Sequence, residues 1–261
     1  MKKGNLFIIL VFIFLYLPIT VLILYSFNSS SANIVFENFT FNWYKELFNN
    51  RELIESFINT VIVTIVSTII STIIGTISAI GLSKYDFKLK NFINKLIYIP
   101  IVIPEIVLGI SLLSVYTLAK FDLSLYTIIL SHIAFSIPFV IVSVRGSISK
   151  NLKSCEEAAK DLGASDFLIF RKVTLPNIMP GIISGATLAI TLSLDDVVIS
   201  YFTAGPGSNT LPLYIYSIIK TGITPDVNAL STIILLGAII ILTINAFRQS
   251  KKIARANIWK R

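Results

Sequence analysis

SFINTVIVTIVSTIISTIIGTISAIGLS, residues 56–83, holds 28 positions without one Asp, Glu, Lys or Arg. A helix rises 1.5 Å per residue, so about 20 such residues cross the hydrocarbon of a bilayer. The same pattern recurs along the chain. Leu6 to Phe27 and Val227 to Phe247 are free of charge, as is Leu123 to Val144 with His132 neutral. Leu96 to Leu118 carries Glu105, and Ile178 to Thr203 carries Asp195 and Asp196. The composition agrees: 14% of the 261 residues are charged and 54% hydrophobic, where soluble domains average about 25% charged. The expectation is an all-α membrane protein of one domain, residues 1–261. Its six spans fall at about 6–27, 57–82, 96–118, 123–144, 178–203 and 227–247.

The first segment has a second reading, a cleavable signal peptide with Lys2 and Lys3 as its basic start and Ser29 to Ala32 as a weak cleavage site. At 22 residues it exceeds the roughly 7–15 of a signal core, which favours a span. Only Ala119 to Asp122 separates the third and fourth segments, so a tight helical hairpin is expected there. Of the 22 Lys and Arg, 18 fall at the two termini and in the loops after the second and fourth spans, and 4 fall elsewhere. The positive-inside rule puts those termini and loops in the cytoplasm. The net charge of +8 then lies against anionic lipid, which argues against a nucleic-acid partner. Cys155, the one cysteine, falls on the reducing side and allows no internal disulfide.

Residues 56–83 also carry Thr60, Thr64, Thr68, Thr72 and Thr76, flanked by Ser67, Ser71, Gly75 and Ala79. Gly181, Gly185, Ala189 and Ser193 repeat the spacing of four in the fifth span. Small residues at that interval let helix backbones approach in lipid. The stripes serve packing within the chain or a contact with a second subunit. Pro18, Pro100, Pro104, Pro138 and Pro180 each remove a backbone donor, so each is expected to bend or break its span. Outside the spans, the stretch around Trp43 and Tyr44 reads as a short surface helix, with Trp43 an interfacial anchor. Gly205-Pro206-Gly207 reads as a turn. No internal repeat is evident, which weakens a secondary-transporter reading.

The loop 145–177 reads as two short helices. Ser154 and Glu157 have the spacing of a capping box, Ala158 and Ala159 leave room for another surface, and Gly163 ends the first helix. Ser165 caps a second, Asp166 to Leu175, which Pro176 stops. Taken alone this is a capped helix pair. The spacing of Glu157-Ala158-Ala159, Gly163, Val173 and Leu175-Pro176 resembles the EAA signature of ABC importer permeases, with Val where Ile is usual. That resemblance implies a type I (MetI-like) permease fold. It also implies a coupling helix that docks on a separate ATPase through Glu157, Ala158, Ala159, Asp161, Gly163, Leu175 and Pro176. None of the 12 glycines precedes a lysine, so no phosphate-binding loop is present. ATP and Mg would sit on partner chains, with no cofactor or metal on this one.

Glu105, Asp195 and Asp196 are the full charges inside spans, and all are acidic. A charge at mid-membrane costs about 2.5–3.5 kcal/mol on insertion scales, so it faces a pathway or a partner. Glu105 lies roughly 14 Å into its span at 1.5 Å per residue. An acidic path suits a cation and repels sulfate, molybdate or phosphate. Protonation, or pairing with a partner subunit, is the alternative. His132, with no carboxylate near it in sequence, reads as a packing hydrogen-bonder. One His, one Cys and no grouped ligands leave no catalytic cluster.

PEIVLGISLL from Pro104, SHIAFSIPFV from Ser131, TLSLDDVVIS from Thr191 and LPLYIYSIIKTGITPDVNALST from Leu211 resemble the C-type permease subunit of spermidine/putrescine importers. The resemblance implies a bacterial plasma-membrane complex. Its other members are a second related permease, two ATPase subunits and an extracytoplasmic polyamine-binding protein. The substrate path would include Glu105, Asp195, Asp196 and Trp43. A same-fold ABC permease for another solute, and an ion-coupled carrier, remain as alternatives.

Overall fold

The computed structural model describes residues 2–30, 35–219 and 224–258. Ser31 and Ala32 of the cleavage site, and Lys220, Lys260 and Arg261 of the charge count, lie outside the described residues. The described elements are helical, apart from one antiparallel bridge between Asn28 and Phe39. In chain order they are α1 Lys2–Tyr25, α2 Asn42–Glu46, α3 Arg51–Lys84, α4 Lys90–Val102, α5 Glu105–Leu118 and α6 Leu125–Ser147. After these come α7 Lys150–Asp161, α8 Asp166–Ile169, a π turn Phe170–Thr174, α9 Leu175–Leu194, α10 Val198–Thr203, α11 Leu211–Ile218 and α12 Pro225–Ile258.

Four stretches are long and apolar enough to cross a membrane: Leu6–Tyr25, Arg51–Lys84, Leu125–Ser147 and Asp166–Leu194. α4 and α5 make a fifth if counted as one span, bent by 111°. Pro225–Ile240 is a shorter apolar stretch of α12. Two expected spans differ from straight helices. Residues 96–118 are split at Ile103 and Pro104, both extended with ψ 136. Proline cannot donate, and it drives the residue before it out of the helical region. Pro18, Pro100, Pro138 and Pro180 lie inside helices; of the five prolines only Pro104 coincides with a break. Residues 178–203 are split between α9 and α10 at the two aspartates.

The chain forms two compact units, Met1–Ile54 with Ser217–Arg261, and Glu55–Tyr216. In the first, α1 and α2 each pack on α12, and Asn50 Nδ2 donates to Asp226 Oδ2 at 2.6 Å. The surface helix expected around Trp43 is one short turn, α2. Its aromatic neighbours cluster, with Phe27 stacked on Phe39 at 5.0 Å and Tyr44 5.2 Å from Phe27.

In the second unit α6 is the centre: 61% of its apolar window is buried, against 33% for α3 and 28% for Asp166–Leu194. Gly75 of the first small-residue stripe and Gly181 and Gly185 of the second face it. A Cβ on Gly75 would stand 2.7 Å from Val140 Cβ, and one on Gly185 3.1 Å from Val140 Cα. A Cβ on Gly181 would meet Ser143 O at 2.8 Å. The stripes therefore pack helices within this chain, with Val140 fully buried between them. Ala79, Leu82, Ile141, Val144, Leu152, Ile178 and Ala189 complete that core.

The connection between α5 and α6 runs over six residues, 119–124, two more than expected. Gly205 to Ser208 seats on it. Ser208 N donates to Gly205 O at 3.1 Å, and Gly207 has φ +72, the positive φ that the third position of a type II turn requires, with Pro206 at the second. A Cβ on Gly205 would lie 1.7 Å from Leu123 O. Backbone cannot yield as a side-chain tip does, so Gly205→Ala is expected to destabilise this unit by about 1–3 kcal/mol or more. Thermal melting of the purified chain in detergent checks it; an unchanged Tm would mean that the loop is not held there.

Candidate functional site

Two helix breaks bring the acidic residues together. α5 starts at Glu105, directly after the Pro104 break. α9 ends at Leu194, and α10 begins at Val198. α5 packs against α10, closely enough that a Cβ on Gly109 would stand 2.7 Å from the Phe202 ring. Glu105, at the start of α5, is thus brought toward the break that carries Asp195 and Asp196, although 90 residues separate Glu105 from Asp195 in the chain. Glu105 is not midway along a straight span, as a ruler of 1.5 Å per residue suggests. It opens a half-helix, where a carboxylate is favoured by the helix dipole.

The three carboxylates differ in surroundings. Glu105 and Asp195 are exposed. Asp196 is buried, with 3% of its side chain accessible. Its Oδ1 accepts from Ile199 N at 3.0 Å, and its Oδ2 from Ser200 N at 2.8 Å and Ser200 Oγ at 2.7 Å. His132 Nε2 reaches the same oxygen at 3.2 Å. Asp196 therefore covers the free amides at the start of α10. The expected continuous span over 178–203 is corrected, because α9 stops at Leu194, ahead of both aspartates, and Asp196 turns inward.

His132 is 2% accessible and ties three helices. Its Nδ1 lies 2.8 Å from Ser193 Oγ on α9, and Nε2 also lies 3.2 Å from Ser200 Oγ on α10. Ser193 in turn donates to Thr64 Oγ1 of α3 at 3.2 Å. The hydrogen-bonding role expected for His132 is present. Its carboxylate partner, 64 residues away, was outside what local sequence reveals. No group of three or more His, Cys, Asp or Glu suited to a metal occurs among the described residues.

The loop 145–177 folds as a helical elbow. α7 begins at Lys150 after Ser149, whose backbone is extended. Ser154 therefore sits inside the helix, and no Ser154–Glu157 capping box forms. The earlier start lets Leu152 reach the core, where it is 4% exposed. Glu157 is solvent-facing, with Lys153 Nζ at 3.8 Å, a distance and exposure that contribute little. Gly163 ends α7 as expected, at φ +82. Ala164 N donates to Ala159 O at 3.1 Å and Gly163 N to Lys160 O at 2.9 Å, the paired bonds of a left-handed helix stop.

Ser165 Oγ accepts from Leu168 N at 3.4 Å, so the second cap is present. The stop at Pro176 is not. After one turn of α8 the chain passes through the π turn and continues as α9, with Pro176 in its first turn. A proline costs least there, because the first amides of a helix have no partner in it. Glu157, Ala158, Asp161, Gly163 and Pro176 are exposed, while Ala159 and Leu175 are half-buried.

Trp43 is half-buried. Its Nε1 donates to Asn28 O at 2.5 Å. Asn28 is itself buried, donating to Val35 O at 2.8 Å and accepting from Glu37 N at 2.9 Å. The indole thus braces its own segment.

The family model described as "binding-protein-dependent transport system inner membrane component" matches residues 71–250. The chain is 40% identical over 217 residues to the spermidine/putrescine transport system permease protein PotC of Escherichia coli (strain K12), covering 83% of this chain and 82% of that protein. It is 37% identical over 253 residues to the protein of the same name from Haemophilus influenzae, covering 97% and 96%. Among solved structures it is similar to a bacterial ABC transporter involved in the import of the acidic polysaccharide alginate, at a TM-score of 0.70 over 93% of this chain and 95% of that one. At 18% identity that likeness speaks to the fold alone.

Proposed function

This chain belongs to the family of binding-protein-dependent transport system inner membrane components, and from that premise we propose that it is the permease subunit of an ATP-driven polyamine importer. The observation that carries the cargo reading is the pair of exposed carboxylates, Glu105 and Asp195, set at two adjoining helix breaks. Broken helices at membrane depth mark solute sites, because freed backbone groups need a polar surrounding. Two anionic side chains there suit a flexible cation carrying several ammonium groups. The names of the similar PotC proteins support the same class. Asp196 supports the path by holding its wall, since its carboxylate oxygens are taken within the chain, while Trp43 braces the segment around Asn28.

In this reading the chain crosses the plasma membrane six times with both termini in the cytoplasm, which the uneven distribution of Lys and Arg supports. Glu157, Ala158, Ala159, Asp161, Gly163, Leu175 and Pro176 form the face and base of the elbow that docks on an ATPase. A second related permease completes the path, two ATPase subunits drive it, and an extracytoplasmic polyamine-binding protein delivers the cargo.

Uptake of labelled spermidine by the assembled complex in proteoliposomes tests the proposal. Glu105→Gln and Asp195→Asn keep shape and remove charge, so each should cut uptake by about tenfold, the effect of losing one charge-assisted contact. Spermidine, with more charge, should suffer more than putrescine. Unaltered uptake in both variants would make the carboxylates structural. Competition by an unrelated cation rather than by polyamines would move the cargo to another class.

A further inference from the structure

The inward edge of α7 carries a junction that the docking face does not use. Glu156 Oε1 accepts from Lys84 Nζ at 2.7 Å. The same oxygen accepts a short hydrogen bond from Thr174 Oγ1. Lys84 is the last residue of α3, and Thr174, 1% exposed, is the last of the π turn that opens into α9. One carboxylate on α7 therefore reaches both the end of α3, 72 residues away, and the base of α9. Leu152 lies one turn before Glu156 and is buried on the same edge of α7. Glu157, Ala158 and Asp161 face solvent. The helix has one edge for attachment and another left free.

Apolar packing alone does not hold α7 here. A cavity of about 650 Å³ opens beside it, bordered by Ile80, Lys84, Leu152, Glu156, Phe170 and Thr174. Atoms lining an open cleft of that size face water in place of packed side chains, so less apolar surface is buried on that side. The Glu156 side chain is 16% accessible and that of Lys84 37%, so their attraction is less screened than at an open surface. The π turn at the other end of the junction is a weaker stretch of helix, of the kind found where helices yield.

We propose that Glu156 is a positioning residue that ties the coupling helix to the end of α3 and the base of α9 together. A displacement of α7 is then delivered to two membrane helices in one step. This rests on the permease reading and names the joint through which it works.

The test uses the complete complex in proteoliposomes, with uptake and ATP hydrolysis measured side by side. Glu156→Ala should lower uptake about tenfold while hydrolysis changes by less than about twofold, as expected for a site that carries coupling. Glu156→Gln, which still accepts from Thr174, should fall between. Lys84→Glu combined with Glu156→Lys should recover uptake above either single variant. Normal uptake in Glu156→Ala overturns the proposal. So does a parallel loss of uptake and hydrolysis that the charge exchange does not recover. Spin labels at Ser154 and Tyr85, with Cys155 replaced by serine, supply a readout independent of cargo. A distance distribution that broadens in Glu156→Ala supports the tie, and an unchanged one sinks it. Failure of the unaltered complex to carry spermidine would overturn the cargo reading alone.

Discussion

Gly163→Pro is expected to bring uptake down to background while the chain still inserts in the membrane. Gly163 holds φ +82, and proline is locked near −65°. The substitution also removes the amide that donates to Lys160 O at 2.9 Å. Both bonds that turn α7 back toward α8 depend on this residue, so the elbow cannot close. Space is not the constraint, because nothing lies within 4 Å of where a Cβ would stand. Gly163→Asn, which tolerates the left-handed region, should therefore keep most of the activity, and Gly163→Ala should be intermediate. Uptake measured beside assembly with the ATPase separates the outcomes. A proline variant that transports normally would show that the turn geometry is not used in coupling.

His132→Leu is the second substitution with a large expected effect, on stability rather than on docking. It leaves the buried Asp196 carboxylate without its imidazole hydrogen bond, and the loss of one partner of a buried polar group costs about 1–3 kcal/mol. Ser193, which bridges His132 to Thr64 of α3, loses a partner as well. Asp196→Asn should cost less, because the amide oxygen can still accept from the start of α10. The double replacement His132→Leu with Asp196→Leu should recover part of the loss, since no unpaired charge then remains buried. Melting in one detergent at one scan rate reads the series. A change below about 1 kcal/mol in His132→Leu would mean that the pair does not hold the α9–α10 break.

The two substitutions lie on opposite sides of what sequence reading reaches. Gly163 was legible because a left-handed helix stop is a local event, decided within a few residues. The turn at Gly205-Pro206-Gly207 was legible for the same reason. The start of α7 was not. Ser154 has the spacing of a cap, but the helix begins after Ser149, whose side chain makes no capping bond, and this earlier start lets Leu152 enter a core built from α3, α6 and α9. Pro176 reads locally as a stop. The π turn before it leaves it in the first turn of a continuing helix instead.

Sequence by itself determined the helical membrane class, the apolar runs, the small-residue stripes and the motif of the elbow, because length, charge and spacing of four act along one helix at a time. The tertiary structure alone decided that both stripes close on Val140 of the same chain. It also decided the 111° angle at Pro104, and divided three similar carboxylates into an exposed pair and a buried cap. The physical reason is the range of the interactions. A side chain's periodicity is set by its own helix, but the fate of Asp196 is set by His132, 64 residues away. They meet only once α6 has packed against α9 and α10.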